Sequence, residues 1–327
     1  MKKIICLIIS VMLIALVALV GVGCNKTDNN TIRLSEVTHS VFYAPLYVAI
    51  NEGYFAQEGI NIELTNAGGA DKVMTAVISG QADIGFCGPE AVIYVYNEGR
   101  ADYPQVIAQL TRMDGSFVIG RDGEEFDWAT SFFGKEIIGG RKGGVPAMAL
   151  EYSLRHAGYQ IGTDVIINYD IQYDLITAAF EGGIGDYCTM FEPAATVFQN
   201  AGKGYIKEAV GPQCGEIPYT AFCATKNYLK NNETKVKAFL KALQKGVDYV
   251  KNNTPQKIAD AVAKSFVGVD REVLISAIQN YKNIGAYVTD MHLVEESFER
   301  LQDVIIEAGI MTKRATYADV VNHGYLR

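Results

Sequence analysis

Four groups of residues in the chain are suited to binding a small molecule. In the first, Arg141 and Lys142 precede Gly143 and Gly144, and a predicted helix follows. Glycines permit close backbone approach, and the free N–H groups of a helix start favour an anion or a carbonyl. Arg141 could pair with a sulfonate, phosphate or carboxylate, but bases in loops commonly face solvent, so we favour contact through the Gly143 and Gly144 backbone. Gly-Lys-Ser/Thr is absent, which excludes a phosphate-binding P-loop.

The second and third segments each follow a predicted strand. Cys87, Gly88 and Glu90 lie at a helix start and are predicted ligand contacts, although Glu90 could equally be only a partner of the helix dipole. His39, Phe42 and Tyr43 follow the first strand and are also predicted contacts. His39 could instead be an ordinary exposed residue, and Phe42 a core residue.

The fourth set is aromatic and acidic. Tyr173, Phe191 and Tyr219 are predicted at the edges of a cleft, where stacking on a flat ligand contributes about 1 kcal/mol per ring beyond burial. Packing between lobes is the alternative role for each ring. Glu192 could accept hydrogen bonds from an aminopyrimidine, or could simply start a helix with Pro193.

Catalytic signatures are missing from the sequence. Gly-x-Ser-x-Gly, His-Glu-x-x-His and paired metal-ligand spacings do not occur, and the chain has only 4 histidines. We therefore predict a protein that is not an enzyme and that needs no cofactor or metal.

The elements that must position these residues alternate between strand and helix. A strand at 32–37 and a helix opened by Pro45 are matched later by a strand at 136–139 and a helix opened by Pro146. Alternation predicts an α/β fold of parallel sheets, in which ligands bind beyond the carboxyl ends of the strands. Two such lobes with facing edges form a cleft, the usual place for a small ligand.

The chain order suggests that one lobe is discontinuous. An apolar, strand-like segment at 219–224 returns from the second lobe, and the C-terminal third is predicted to be helical. We expect lobe one at 32–117 and 221–327, lobe two at 118–220, and hinges near 116–121 and 215–220.

Composition excludes several classes of protein. The 327 residues include 29 Lys+Arg and 37 Asp+Glu, for a net charge of −8, and 49% are apolar. The apolar fraction is too high for a disordered chain, and the acidic balance argues against nucleic-acid binding.

The N-terminus carries the parts of a secretory signal. Lys2 and Lys3 precede an apolar run at 4–20, small residues at 21–23 and then Cys24. The stretch resembles a bacterial lipoprotein signal in which Cys24 is acylated, although Gly21 stands where Leu is usual; a retained membrane anchor is the alternative. We predict a signal peptide at 1–23, a tether at 24–31 and a folded part lipid-anchored outside the cytoplasm. There, Cys87, Cys188, Cys214 and Cys223 could form disulfides or remain buried thiols.

Several segments together carry a family resemblance. Residues 43–49, 52–55 and 58–60, with the run Ser79-Gly80-Gln81-Ala82-Asp83-Ile84-Gly85, resemble the NMT1/THI5-like substrate-binding proteins, and 139–144, 191–193 and 217–219 resemble later landmarks. The resemblance covers about residues 32–252. It implies a two-lobed type II periplasmic-binding-protein fold, usually monomeric, that delivers solutes to an ABC permease and its ATPase. Relatives bind nitrate, sulfonates, taurine or thiamine-pyrimidine precursors.

The resemblance and the site residues together suggest a ligand. Aromatic rings and two carboxylates favour a small heteroaromatic, pyrimidine-like molecule, whereas Arg141 favours an anion such as nitrate, a sulfonate or taurine. An extracytoplasmic ligand sensor is an alternative role. A THI5-like pyrimidine synthase is disfavoured, because the chain lacks the cysteine run of those enzymes and carries a signal segment.

Overall fold

A computed structural model describes residues 30–172 and 175–326 of the chain. The strands in these ranges are β1 (Thr31–Glu36), β2 (Asn61–Asn66), β3 (Ile84–Cys87), β4 (Pro104–Thr111), β5 (Ser116–Gly120), β6 (Lys135–Ile138), β7 (Val165–Asn168), β8 (Tyr187–Phe191), β9 (Tyr205–Ala209) and β10 (Thr220–Thr225). The helices of the first 200 residues are α1 (Ala44–Asn51), α2 (Tyr54–Gln57), α3 (Ala70–Ile78), α4 (Glu90–Asn97), α5 (Val145–His156), α6 (Ile176–Glu181) and α7 (Ala194–Asn200). The later helices are α8 (Val210–Cys214), α9 (Lys226–Asn231), α10 (Glu233–Asn252), α11 (Pro255–Val262), α12 (Arg271–Asn283), α13 (Glu295–Glu307) and α14 (Tyr317–Val320).

Within these ranges the strands form two sheets of five strands with the same pattern. The first has the order β2-β1-β3-β10-β4 and the second the order β7-β6-β8-β5-β9. In each, the fourth position is held by a strand that enters from the other sheet and runs antiparallel to its neighbours. The predicted α/β fold with two lobes is confirmed.

Local signals explain where the site-bearing helices begin. Proline lies in the first turn of α1 and of α5, where its missing N–H costs no hydrogen bond. Both helices follow the carboxyl end of the first parallel strand of their sheet. This placement puts the loops before them at the sheet edge.

The first predicted hinge is wrong. Ser116–Gly120 is strand β5, and all five residues are buried between β8 and β9. A strand hydrogen-bonded on both sides is held in register, so the chain crosses between sheets just before it, at 112–115. The strands β5 (Ser116–Gly120) and β9 (Tyr205–Ala209) were not predicted from the sequence.

The C-terminal helices pack against both lobes. The amphipathic α10 and α11 pack on α1, beside the first sheet. Helix α13 packs on α4 and also on α5 of the second lobe, and Arg300 donates to the Glu216 carbonyl at 2.8 Å. The C-terminal helices α10 to α13 therefore contact both lobes and not the first lobe alone.

Four cysteines of the described chain, Cys87, Cys188, Cys214 and Cys223, are buried free thiols. None of the helices in the described ranges combines the length and the apolarity that a bilayer span requires. The predicted signal peptide, Cys24 and Tyr173 lie outside the described residues.

Candidate ligand-binding cleft

Strand register shows that the carboxyl edges of the two sheets face each other. Strand β10 runs antiparallel to β3, with Ala221 opposite Cys87, and begins beside the end of β4, with Thr220 opposite Thr111. In the second sheet, the start of β5 lies opposite the end of β8, Ser116 against Phe191. The crossing segments 112–115 and 215–219 therefore join the carboxyl edges of both sets of parallel strands, where such sheets bind ligands.

An aromatic cluster fills the junction of the two edges; it consists of Phe42, Tyr43, Phe191, Tyr219 and Tyr281. The Phe42 ring lies 5.7 Å from Tyr219, 6.0 Å from Phe191 and 4.6 Å from Tyr281, centroid to centroid. Four members were predicted site residues, and the structure brings them together. The alternative role of Phe42, packing in a core, also holds, because its side chain is 1% exposed.

The first crossing segment packs directly against this cluster. A Cβ added at Gly115 would lie 2.7 Å from Cζ of Phe42, so the ring contacts bare backbone. Next to it, Asp114 is fully buried and accepts a 2.7 Å hydrogen bond from the Ser116 N–H as well as bonds from the Ser116 and Tyr219 hydroxyls. Burial raises the pKa of Asp114 to about 6, although these hydrogen bonds act in the opposite direction. Sequence analysis missed Asp114; its signal is an Asp-Gly-Ser turn between two apolar segments.

Glu90 is a second buried carboxyl group, at the edge of the first sheet. Its side chain is 8% exposed, and its Oε2 has no hydrogen-bond partner in the described chain. The carboxylate lies over Gly88, where any Cβ would overlap with it. Burial raises the pKa of Glu90 to about 7. At the end of β3, a hydrogen bond to Cys223 and burial raise the pKa of the Cys87 thiol.

His39 is engaged by protein groups away from the aromatic cluster. Its Nε2 lies 2.7 Å from the Ser265 carbonyl, which can only accept, so this nitrogen carries a proton. Its Nδ1 lies 3.0 Å from Oε1 of Glu36, and the Tyr47 hydroxyl donates to the other oxygen of that carboxyl at 2.6 Å. Burial raises the pKa of Glu36. His39 thus ties the loop after β1 to the 3-10 turn at Ala263–Ser265, and its contact with a ligand stays a prediction.

The glycine loop before α5 is hydrogen-bonded within its own backbone. The Gly144 N–H donates to the Arg141 carbonyl at 3.1 Å, which occupies the donor that we expected to face a ligand. Gly143 has φ +78°, a conformation that favours glycine, and packs beside Ile310. Arg141 is exposed, and Lys142 lies 5.7 Å from the Tyr169 ring. The bases therefore lie at the surface of the loop.

Glu192 is hydrogen-bonded to protein partners on both oxygens. The Thr196 N–H donates to Oε2 at 3.0 Å, and the Thr196 hydroxyl and Asn280 Nδ2 donate to Oε1 at 2.8 and 2.6 Å. The Glu192 N–H donates to the Tyr281 hydroxyl at 3.0 Å. Glu192 therefore joins α7 of the second lobe to α12, and its role as a ligand acceptor stays a prediction.

Two α/β lobes of the same strand order, connected by two crossing segments around a shared cleft, define the periplasmic-binding-protein fold. The chain matches the model of the "NMT1/THI5 like" family over residues 41–258 and belongs to that family. The resemblance stated from the sequence is confirmed.

Two relatives of known sequence bear on function. YtlA of Bacillus subtilis (strain 168), whose name proposes a binding role, is 38% identical over 302 residues, 92% of this chain and 90% of YtlA. The 4-amino-5-hydroxymethyl-2-methylpyrimidine phosphate synthase of Aspergillus parasiticus is 26% identical over 221 residues, 64% of this chain and 63% of the synthase.

Solved structures confirm the fold. The aliphatic sulphonate-binding protein SsuA of Escherichia coli has a TM-score of 0.73 at 15% identity, covering 92% of this chain and all of that one. The ligand-binding component of an ABC-type import system from Staphylococcus aureus has a TM-score of 0.71 at 14% identity, covering 91% and 98%. The nitrate-binding protein NrtA of Synechocystis has a TM-score of 0.58 at 17% identity, covering 76% and 70%.

Proposed function

We propose that the protein is the extracytoplasmic solute-binding component of an ABC importer. In this role a small polar ligand enters the cleft, the lobes close on it, and the closed form docks on a permease that is driven by its ATPase. The acylated Cys24 would hold the monomer at the membrane. The family, the binding role in the name of YtlA and the fold shared with an import component of Staphylococcus aureus support this proposal.

The aromatic cluster with the buried Asp114 against it, and the buried Glu90 at the edge of the first sheet, is the observation that carries the choice of ligand. Tyr219 belongs to the cluster and also donates to Asp114, so ring faces and carboxyl groups meet at one edge. A flat ring with N–H groups gains stacking and hydrogen bonds in such surroundings. We therefore propose a heteroaromatic, thiamine-pyrimidine-precursor-like ligand.

A sulfonate, taurine or nitrate is the second candidate, favoured by the fold neighbours that bind anions. The charges of the cleft disfavour it. Glu90 and Asp114 are buried acids, and burying an anion beside a carboxylate is costly without a compensating base. Arg112, in the crossing segment, lies 3.3 Å from Glu216, which offsets its charge.

Binding is favoured over catalysis by the extent of similarity. YtlA matches 92% of this chain at 38% identity, whereas the pyrimidine phosphate synthase matches 64% at 26%. A ligand sensor that uses the same cleft would share every feature described above. The neighbouring genes distinguish the two roles: a permease and an ATPase favour import, and a kinase favours sensing.

A thermal-shift panel tests the ligand class. The purified protein is heated with 4-amino-5-hydroxymethyl-2-methylpyrimidine, thiamine, taurine, an alkylsulfonate or nitrate, since a ligand of the native state raises Tm by mass action. We expect the aminopyrimidine to raise Tm. A rise with taurine, the sulfonate or nitrate alone would move the assignment to the anion class. Conversion of any compound during incubation, followed by chromatography, would contradict a pure binding role.

A further inference from the structure

Glu90 has a buried oxygen whose hydrogen-bonding capacity is unused within the described chain. A buried carboxyl oxygen without a partner is costly, and native structures keep few of them. Glu90 opens α4 directly beyond the end of β3, on the edge joined to the second sheet. The unused oxygen therefore lies where the fold places its ligand.

The Glu90 carboxyl group packs against the backbone of the loop at Gly88. Gly88 has no Cβ, and any side chain there would displace both carboxylate oxygens. The Cys87 thiol and the Tyr94 phenol lie near Glu90: a hydrogen bond to Cys223 and burial raise the pKa of Cys87, burial raises that of Tyr94, and the charge of Glu90 adds to both shifts. Both are neutral acids, and neither supplies a positive charge to it.

Several charged and titratable groups on the elements packed around α4 lie beside other residues or pair with them. Cys223 of β10 is the partner of Cys87, and β4 contributes no titratable side chain. Lys72 of α3 lies beside Gly68, and Asp319 of α14 accepts from Tyr96 at the far end of α4. On α13, Glu299 and Asp303 pair with Arg314.

We infer that Glu90 determines the specificity of the cleft by pairing with an amino-substituted nitrogen heterocycle and sharing one proton with it. This inference rests on the proposed function. One carboxyl oxygen accepts from the exocyclic amino group, and the other holds a proton between itself and the ring nitrogen. Whether that proton sits on the acid or on the base, the pair is complementary, whereas a sulfonate or nitrate is repelled by the ionised carboxylate and can accept only from the protonated acid. The raised pKa of Glu90, about 7, lets the apo protein hold this proton near neutral pH.

The test is the pH dependence of binding to 4-amino-5-hydroxymethyl-2-methylpyrimidine, measured by calorimetry between about pH 5 and about pH 9. For the wild type, Kd should rise about ten-fold per pH unit above neutrality, because the complex must take up the shared proton. Glu90→Gln can still pair through its amide, as Gln does with adenine, so binding should stay within about ten-fold while this slope disappears. Glu90→Leu, which removes both hydrogen bonds, should bind about 100-fold more weakly. Glu98→Gln, at the exposed end of the same helix, should match the wild type.

Circular dichroism establishes that each variant is folded before binding is compared. A wild-type slope retained in Glu90→Gln would show that only the ligand titrates, which overturns the inference and leaves the proposed function intact. Binding of taurine instead of the pyrimidine would overturn both the inference and the proposed ligand class, but not the import role. Absence of binding to either compound would overturn the inference as well.

Discussion

Asn280 of α12 donates a 2.6 Å hydrogen bond to the buried carboxylate of Glu192, at the start of α7. The next residue, Tyr281, accepts from the Glu192 N–H and places its ring 4.6 Å from Phe42. One turn of α12 thus contacts the second lobe through Glu192 and the aromatic cluster through Phe42. We call the Glu192–Asn280–Tyr281 contact the interlobe latch. It joins the two lobes through protein groups.

Loss of the latch should open the protein. In Asn280→Ala, the Glu192 carboxylate keeps Thr196 but loses its bond to α12, so we expect the ligand-free population to shift toward an open form with a larger radius of gyration. Small-angle X-ray scattering measures this change. Gln279→Ala, which changes an exposed neighbour whose side chain bonds to Asn283 of the same helix, is the matched control. Identical scattering from both variants and the wild type would show that the latch is not a determinant of closure.

Gly115 should tolerate no side chain. A Cβ there would lie 2.7 Å from the Phe42 ring, inside the contact distance of real side chains, so Gly115→Ala must displace either the ring or the crossing segment. We expect a loss of about 1–3 kcal/mol in the free energy of unfolding, measured with urea. In Gly123→Ala the nearest atom would be 3.5 Å away, and we expect a change of less than about 0.5 kcal/mol. Equal stability of the two variants would contradict the close contact between Gly115 and Phe42.

Asp114 should make stability depend on pH. Its folded-state pKa, about 6, exceeds the ordinary value of 3.8, so the native state binds its proton more tightly than the unfolded state does. The free energy of unfolding should therefore fall as pH rises from about 4 to about 6, by up to about 3 kcal/mol from this group.

Asp114→Asn keeps an oxygen acceptor for the Ser116 N–H but cannot ionise. The free energy of unfolding of this variant should therefore change less with pH over this range. Urea unfolding at several pH values measures the difference, with Asp170→Asn, an exposed position, as the control. A wild-type slope that persists in Asp114→Asn would place its origin in other groups.

The lipid anchor has its own test. Cys24→Ser removes the thiol that we propose is acylated, so the protein should move from the membrane fraction to the soluble extracytoplasmic fraction of the producing bacterium. Immunoblots of the fractions measure this change, and Cys214→Ser, a buried cysteine of the folded part, is the control for a lost thiol. Membrane association that survives Cys24→Ser would favour the retained anchor at 4–20.

The fold could be predicted because its signals are local. Pro45 and Pro146 lie in the first turn of the predicted helices and of the observed ones. The alternation of strands and helices determines which loops lie at the sheet edge. The grouping of Phe42, Tyr43, Phe191 and Tyr219 could be predicted by position alone, since each lies at a strand end or near one; their contact with a ligand stays a prediction.

The partners of the site residues could not be predicted, because they come from distant parts of the chain. Glu192 takes its donor from Asn280, 88 residues away, and His39 meets Ser265, 226 residues away. The sequence does not show whether both oxygens of a carboxyl group have hydrogen-bond partners. Both oxygens of Glu192 have them, whereas Oε2 of Glu90 has none in the described chain. Only packing separates these two cases.

Titration of 4-amino-5-hydroxymethyl-2-methylpyrimidine into the wild type and Tyr219→Leu tests the central claim, that the aromatic cluster stacks on a heteroaromatic ligand. Tyr219→Leu keeps an apolar side chain but removes the ring and the hydroxyl that donates to Asp114, so Kd should rise at least about ten-fold, the equivalent of one stacking interaction. Tyr96→Leu, which removes a ring at the far end of α4, should bind like the wild type. Saturable binding that weakens only in Tyr219→Leu is the predicted result. Equal affinities of all three proteins, or binding of sulfonates and not of the pyrimidine, would contradict the account.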